Sequence, residues 1–275
     1  MVVGNTAGML VDINALRRHR AAIQMGDDGP FIWGDFERVV AESMVVREAG
    51  RPQHELYRQL RATQNRLTDL RTIPMKVNWM LQQRDVGNLD PYDWMFFASS
   101  DVNSFLSNVR SLFDHLADAL RAAAPKPGSI PQQSFRKLSD WVGKGGEREA
   151  EQLGRSAFNI VAGCDWFQEL RTVRDDLTHR DAQTIIFPRA EGIAVVMFNH
   201  TRELFDEPEL MGPGNLLRFE RLAVATMGRL HELLEETAAA VATTAGFGLR
   251  GDGASVHSGL GVLARWTDDY LVQLG

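Results

Sequence analysis

The sequence predicts a mainly α-helical protein, an antiparallel helical bundle with one small β-hairpin insertion at about 184–198. Two observations lead to this fold class. Apolar residues recur at the 3.6-residue period of a helix through most of the chain, and the period changes to the two-residue period of a strand only once. The predicted helices are long and their connections are short, which favours antiparallel neighbours that bury their apolar faces together.

The order of the elements follows from the apolar pattern and from the turn-forming residues that interrupt it. Helices are predicted at 34–49, 53–83, about 92–123, 133–144, about 147–180, 216–245 and 259–273. Pro74 should interrupt or kink the second of these helices. The runs TIIF (184–187) and IAVVMF (193–198), joined by the turn PRAEG, form the predicted hairpin.

Three regions are expected along the chain. Residues 1–85 should form an N-terminal helical layer packed on the bundle, residues 86–248 the bundle with its hairpin, and residues 249–275 a glycine joint and a C-terminal helix. A length of 275 residues suits one large domain or two small ones, and we expect one compact unit overall.

Composition restricts the class of protein. The one cysteine, Cys164, excludes an internal disulfide and a cysteine-based zinc site. That cysteine usage, with no signal-peptide pattern and no apolar run of bilayer length, predicts a cytoplasmic protein that does not contact a membrane. The net charge of −6 argues against non-specific coating of nucleic acid. The G-x-G-x-x-G that starts at Gly246 follows a helix rather than a strand, so we expect no dinucleotide cofactor. No metal-binding motif is present either.

Arginine and histidine occur four times with four to six residues between them. The pairs are Arg47/His54, Arg110/His115, Arg174/His179 and Arg250/His257. The first spans a glycine and a proline and the last lies in the glycine joint, so neither would hold a site rigidly. The two middle pairs lie on long predicted helices and remain candidates.

Helical projection places Arg174 inside an apolar stripe, between Phe167 and Leu170, with Arg171 and Thr178 at its border. A charged side chain on a buried face needs a partner, because burying it unpaired is costly.

Asp175 lies four residues before His179 and can orient its imidazole. Alternatively, His179 is only a cation that interacts favourably with a helix C-terminus. The residues by themselves leave both interpretations open.

The second pair, Arg110 and His115, lies well off the apolar stripe of its helix. His115 shares a face with Ser104, Asn108 and Ser111, an uncharged polar stripe suited to a cleft or a helix–helix contact. We therefore interpret Arg110 and His115 as structural or supporting residues.

The stretch RDDLTHR, which begins at Arg174, resembles the R-x(4–6)-H motif of the HEPN superfamily, and Asp175 matches the polar residue that usually follows the arginine. The wider region from about 91 to 245 is also similar: a long helix with FLSNVRSLFDHLADALR, a second that ends in the motif, and a final helix.

The resemblance implies a metal-independent ribonuclease that needs no cofactor and acts as a homodimer through the motif helix. Arg174 would hold the scissile phosphate, and His179 would serve as general base or acid, giving a 2′,3′-cyclic phosphate. Family members act in toxin–antitoxin pairs, phage defence and RNA processing, so the expected partners are RNA and an antitoxin or defence-system protein. Many members are non-catalytic. The alternative is thus a helical dimerisation, interaction or RNA-binding module, in which Arg174 and Asp175 form a buried ion pair.

Overall fold

The computed structural model describes residues 10–22, 35–48, 54–90, 92–132, 134–179, 186–189, 192–196, 210–212, 216–247 and 260–274. Its elements in chain order are α1 (Ile13–Ala22), α2 (Asp35–Glu48), α3 (His54–Asp85), α4 (Asp93–Ala123), a 3-10 turn (Pro127–Ser129), α5 (Phe135–Gly143), α6 (Glu147–Leu153), α7 (Arg155–Ala162), α8 (Trp166–His179), β1 (Ile186–Arg189), β2 (Gly192–Val196), β3 (Met211–Gly212), β4 (Leu216–Arg218), α9 (Phe219–Ala245) and α10 (Leu260–Leu274).

The mainly α-helical fold and the hairpin are confirmed. Strands β1 and β2 pair antiparallel, with Arg189 opposite Gly192 next to the turn. The sheet also contains two short strands that we did not predict, and its order is β1-β2-β4-β3. Strand β4 takes the first three residues of the helix predicted at 216–245. Strands of two or three residues are too short to show an alternating pattern, so only their pairing in the folded chain reveals them.

Helices α3 and α4 form a long antiparallel pair. Three side-chain contacts join them in opposite order along the chain: Gln59 with His115, Arg66 with Asn108, and Lys76 with Asp101. Helix α3 continues through Pro74, which is buried, so the predicted interruption at this proline does not occur. Packing against α4 over nearly the whole length of α3 compensates for the hydrogen bond that proline cannot donate.

The predicted single helix at 147–180 is wrong, because the chain forms three helices there. Gly154 separates α6 from α7 with φ of 94°, outside the right-handed helical region. Gly163 ends α7, and α8 begins three residues later. Such short breaks preserve most of the apolar period, which explains why the sequence pattern reads as continuous.

A continuous apolar core includes residues from all three predicted regions, among them Leu60, Phe105 and Leu263. Helices α1 and α2 pack on α9, and α10 packs on α1, α3 and α9. None of the described helices combines the length and the apolar composition needed to cross a membrane.

Candidate functional site

A cleft of about 550 Å³ lies between α4, α5 and α8 and contains the motif arginine. We call it the basic cleft. Among the described residues, its apolar floor is formed by Leu106, Val109, Phe167 and Leu170, its cations are Arg110, Arg136, Lys137, Arg171 and Arg174, and its acids are Asp114, Asp140 and Asp175. Cations from three helices therefore surround a floor that is suited to a planar or apolar group.

A cluster of aromatic side chains holds these three helices together beneath the cleft. The ring of Phe113 on α4 lies 4.8 Å from Phe135 on α5, and 5.2 Å and 4.7 Å from Trp166 and Phe167 on α8, measured between centroids. All four side chains are buried. Edge-to-face and tilted aromatic contacts add to the free energy of burial, so this cluster positions the walls of the basic cleft.

Arg174 is the most buried of the described cations in the basic cleft. Its side chain is 18% exposed, compared with 32% for Arg171, 50% for Arg110 and 55% for Arg136. It lines the cleft beside Phe167 and Leu170, on the apolar side of α8 that the helical projection indicated.

Each wall of the basic cleft carries an arginine followed four residues later by an aspartate. The described distances are 4.0 Å for Arg110–Asp114, 3.7 Å for Arg136–Asp140 and 3.3 Å for Arg171–Asp175. Arginine before the acid is the less favourable order on a helix, and such partly exposed pairs stabilise little. These guanidinium groups can therefore turn to an incoming anion at small cost.

Asp175 contacts two arginines. Nη1 of Arg174 donates to Oδ1 of Asp175 at 2.6 Å, and Nε of Arg171 lies 3.3 Å from Oδ2. The backbone of Thr178 and His179 forms the last turn of α8, but their side chains lie outside the described residues. The contact between Asp175 and His179 therefore stays a prediction.

The structure separates Arg110 from His115. Arg110 lines the basic cleft, whereas the His115 ring faces α3, where its Nδ1–H donates to Oε1 of Gln59 at 3.0 Å. Burial lowers the pKa of His115, and the positive charge of Arg66 lowers it further. His115 therefore acts in the described structure as a neutral link between α3 and α4.

Sequence reasoning missed the wall formed by α5, which contributes Ser134, Arg136 and Lys137 to the cleft. Asp114 on α4 places this helix, because its Oδ1 accepts a hydrogen bond from the backbone N–H of Phe135 at 3.0 Å. The Ser134 hydroxyl caps the same helix by accepting from the backbone N–H of Lys137. No spacing signal connects these residues to Arg174, since they meet only in the folded chain.

The described residues offer neither a metal site nor an activated thiol. They contain no group of three His, Cys, Asp or Glu side chains placed to hold a metal ion. Cys164 is buried, and burial raises the pKa of its thiol strongly, so it is not an activated nucleophile. The described cations of the basic cleft, four arginines and one lysine, can bind an anion.

No protein-family model, no curated protein and no solved structure matches this chain.

Proposed function

We propose that the protein is a metal-independent RNA endonuclease of the HEPN type, and that it binds the RNA backbone in the basic cleft. The observation that supports this proposal is the position of Arg174, which is the most buried described cation in a cleft that four further cations line. A guanidinium that is withdrawn from solvent interacts more strongly with a phosphate, because the local dielectric constant is lower. Its planar fork also suits two-point contact with phosphate oxygens.

In this mechanism Arg174 stabilises the negative charge that builds up on the phosphate in the transition state. His179 accepts the proton of the ribose 2′-OH while the 2′-oxygen forms a bond to phosphorus. The bond to the 5′-oxygen breaks, and that oxygen takes a proton from a second acid. The products are a 2′,3′-cyclic phosphate and a 5′-hydroxyl end.

One motif histidine in each chain favours a homodimer in which the motif helices of two copies face each other across a two-fold axis. One His179 would then act as base and the other as acid. Arg171 and Thr178 would border the pocket. The resemblance to HEPN proteins supports a cytoplasmic role in toxin–antitoxin pairs, phage defence or RNA processing, with an antitoxin or a defence-system protein as partner.

A second candidate is a non-catalytic module that dimerises, or that binds RNA without cleaving it. The contact between Arg174 and Asp175, at 2.6 Å, favours this candidate, although the pair is partly exposed, at 18% and 33%, rather than buried as expected. Asp175 would then hold both arginines in place.

Incubation of mixed RNAs with the full chain in EDTA at pH 6 to 8 separates the two candidates. For the nuclease we expect cleavage that leaves cyclic phosphate ends. His179→Ala should lower the cleavage rate about 10²–10⁴-fold and still bind RNA. Arg174→Ala should lose both cleavage and RNA binding. Arg148→Ala, which removes an exposed arginine outside the basic cleft, is the matched control and should change neither.

Three other results would each contradict at least one of these proposals. RNA binding that depends on Arg174, without cleavage of any RNA, would overturn the nuclease and support the RNA-binding module. Wild-type protein that neither binds nor cleaves RNA would overturn both RNA functions. Light scattering that shows a monomer at micromolar concentration would contradict the two-histidine mechanism.

A further inference from the structure

A second cavity, of about 690 Å³, lies between the end of α3, the junction of β4 with α9, and α10. We call it the α10 cavity. Among the described residues, its polar and aromatic lining includes Arg218, Glu220, Arg221, Trp266, Asp269, Tyr270 and Gln273. None of these residues lines the basic cleft. The volume is within the range of about 300–1,000 Å³ that is usual for small-molecule sites.

Glu220 has an unusual carboxyl group. Its Oε1 accepts a hydrogen bond from the backbone N–H of Ile193 on β2 at 2.6 Å, while its buried Oε2 has no hydrogen-bond partner among the described residues. Burial raises the pKa of this carboxyl to about 7. A buried polar atom without a partner is costly, and the terminal torsion of a glutamate turns easily. A ligand N–H group in the cavity would supply the missing partner.

Two arginines flank this carboxyl group. The guanidinium of Arg221 lies 5.4 Å from the centre of the Tyr270 ring, and its Nη2 donates to Oε1 of Gln273, so α10 holds the side chain along the cavity wall. Arg218 lines the cavity from the last position of β4. Neighbouring arginines of this kind favour a phosphate or carboxylate group.

An aromatic surface completes the site. The half-buried ring of Trp266 lines the cavity, and an edge contact with Phe219, at 6.4 Å between centroids, fixes its orientation. Indole rings bind planar groups such as nucleobases by stacking. Asp269 is exposed at the rim, where its carboxylate can accept a hydrogen bond from a ribose hydroxyl.

We propose that the α10 cavity binds a mononucleotide. Arg218 and Arg221 contact its phosphate, the ring of Trp266 stacks on its base, and Glu220 accepts a hydrogen bond from an N–H of the base. A mononucleotide carries an anion, a planar ring and N–H donors together, which is the combination that this lining recognises. The site is separate from the basic cleft and does not depend on RNA cleavage.

The test measures binding of AMP, GMP, CMP and UMP to the full chain by calorimetry and by the shift in melting temperature. At least one mononucleotide should bind and raise the melting temperature. Inorganic phosphate and ribose 5-phosphate should bind more weakly, by a factor of at least about ten. Arg221→Ala and Arg218→Gln should each lower the affinity about tenfold, as expected for the loss of a charged contact to phosphate. Trp266→Phe should lower it by a smaller factor.

Two control variants localise the binding. Arg265→Ala removes an exposed arginine of α10, one whose side chain does not line the cavity, and this variant should bind mononucleotides like the wild type. Arg174→Ala should also bind normally. The proposal is overturned if no mononucleotide binds at about 10 mM, a concentration that detects even millimolar affinity. It is overturned equally if phosphate alone binds as well as the nucleotides, or if Arg174→Ala abolishes binding while a folded Arg218→Gln retains it.

Discussion

A buried polar cluster should make the protein sensitive to acid. His19 on α1, Glu37 on α2, Arg71 on α3 and His231 on α9 meet inside the fold, and the two imidazole rings lie 5.7 Å apart. His19 and Arg71 are almost completely buried. Burial is the main cause that lowers the pKa of both histidines, and the positive charge of Arg71 lowers each further. Both imidazoles are therefore neutral in the folded protein at pH 7.

The direction of the effect follows from proton binding. The pKa of His231 is about 4 in the folded protein and 6.5 as an ordinary value. Between these two pH values the unfolded chain binds more protons than the folded one, so the free energy of unfolding falls as the pH falls. The contribution is fully present above about pH 6.5 and is lost as the pH approaches 4. His19 acts in the same direction.

The size of the effect follows from the same shift. One pKa unit corresponds to about 1.4 kcal/mol, so the shift of His231 sets an upper limit of about 3 kcal/mol. Part of this loss of stability occurs below pH 4.5, and the side chain of His231 is only partly buried. We therefore expect a loss of about 2 kcal/mol from His231 between pH 7 and pH 4.5.

Urea unfolding at pH 7.0, 6.0, 5.0 and 4.5 measures this contribution. Carboxylates also contribute to acid unfolding, so the useful quantity is the difference between the wild type and His231→Gln. The variant should be less stable than the wild type at pH 7, and this gap should shrink by about 2 kcal/mol at pH 4.5. His54→Gln, which removes an exposed histidine of α3, should keep the pH dependence of the wild type. A gap between the wild type and His231→Gln that stays constant over this pH range would refute the reasoning.

Two further predictions concern the aromatic cluster beneath the basic cleft and the break between α6 and α7. Phe113→Ala should lower the free energy of unfolding by about 3–5 kcal/mol, because it empties the centre of the aromatic cluster. Phe97→Ala, at a 52% exposed position, should change it by less than about 0.5 kcal/mol. Equal effects of the two variants in denaturant unfolding would contradict the role of Phe113 in holding the three helices together. Gly154→Ala should lower it by about 1–2 kcal/mol because of the positive φ, while Gly128→Ala, which has open space around it and no positive φ, should be nearly neutral in the same measurement.

The sequence by itself determined most of the local structure, although not the breaks at Gly154 and Gly163. Helical periodicity predicted the long helices, for example α4 and α9, because a residue's neighbours on a helix are set by positions three and four residues away. The same geometry indicated that Arg174 lies on the apolar side of its helix. Two runs rich in β-branched and aromatic residues, joined by a turn with Pro188 and Gly192, located the hairpin. Each of these predictions depends only on residues that are close together in the sequence, so a short segment contains the information for it.

Only the tertiary structure decided which segments meet. Arg136 and Lys137 face Arg174 across the basic cleft because the rings of Phe113, Phe135 and Phe167 pack together, and nothing in the local pattern of either helix encodes that contact. The His115 ring faces α3 rather than the basic cleft, and its Nδ1–H donates a hydrogen bond to Oε1 of Gln59 on that helix. Contacts between distant residues depend on how whole apolar faces fit together, so a pattern that is read along the chain predicts each face but not its partner.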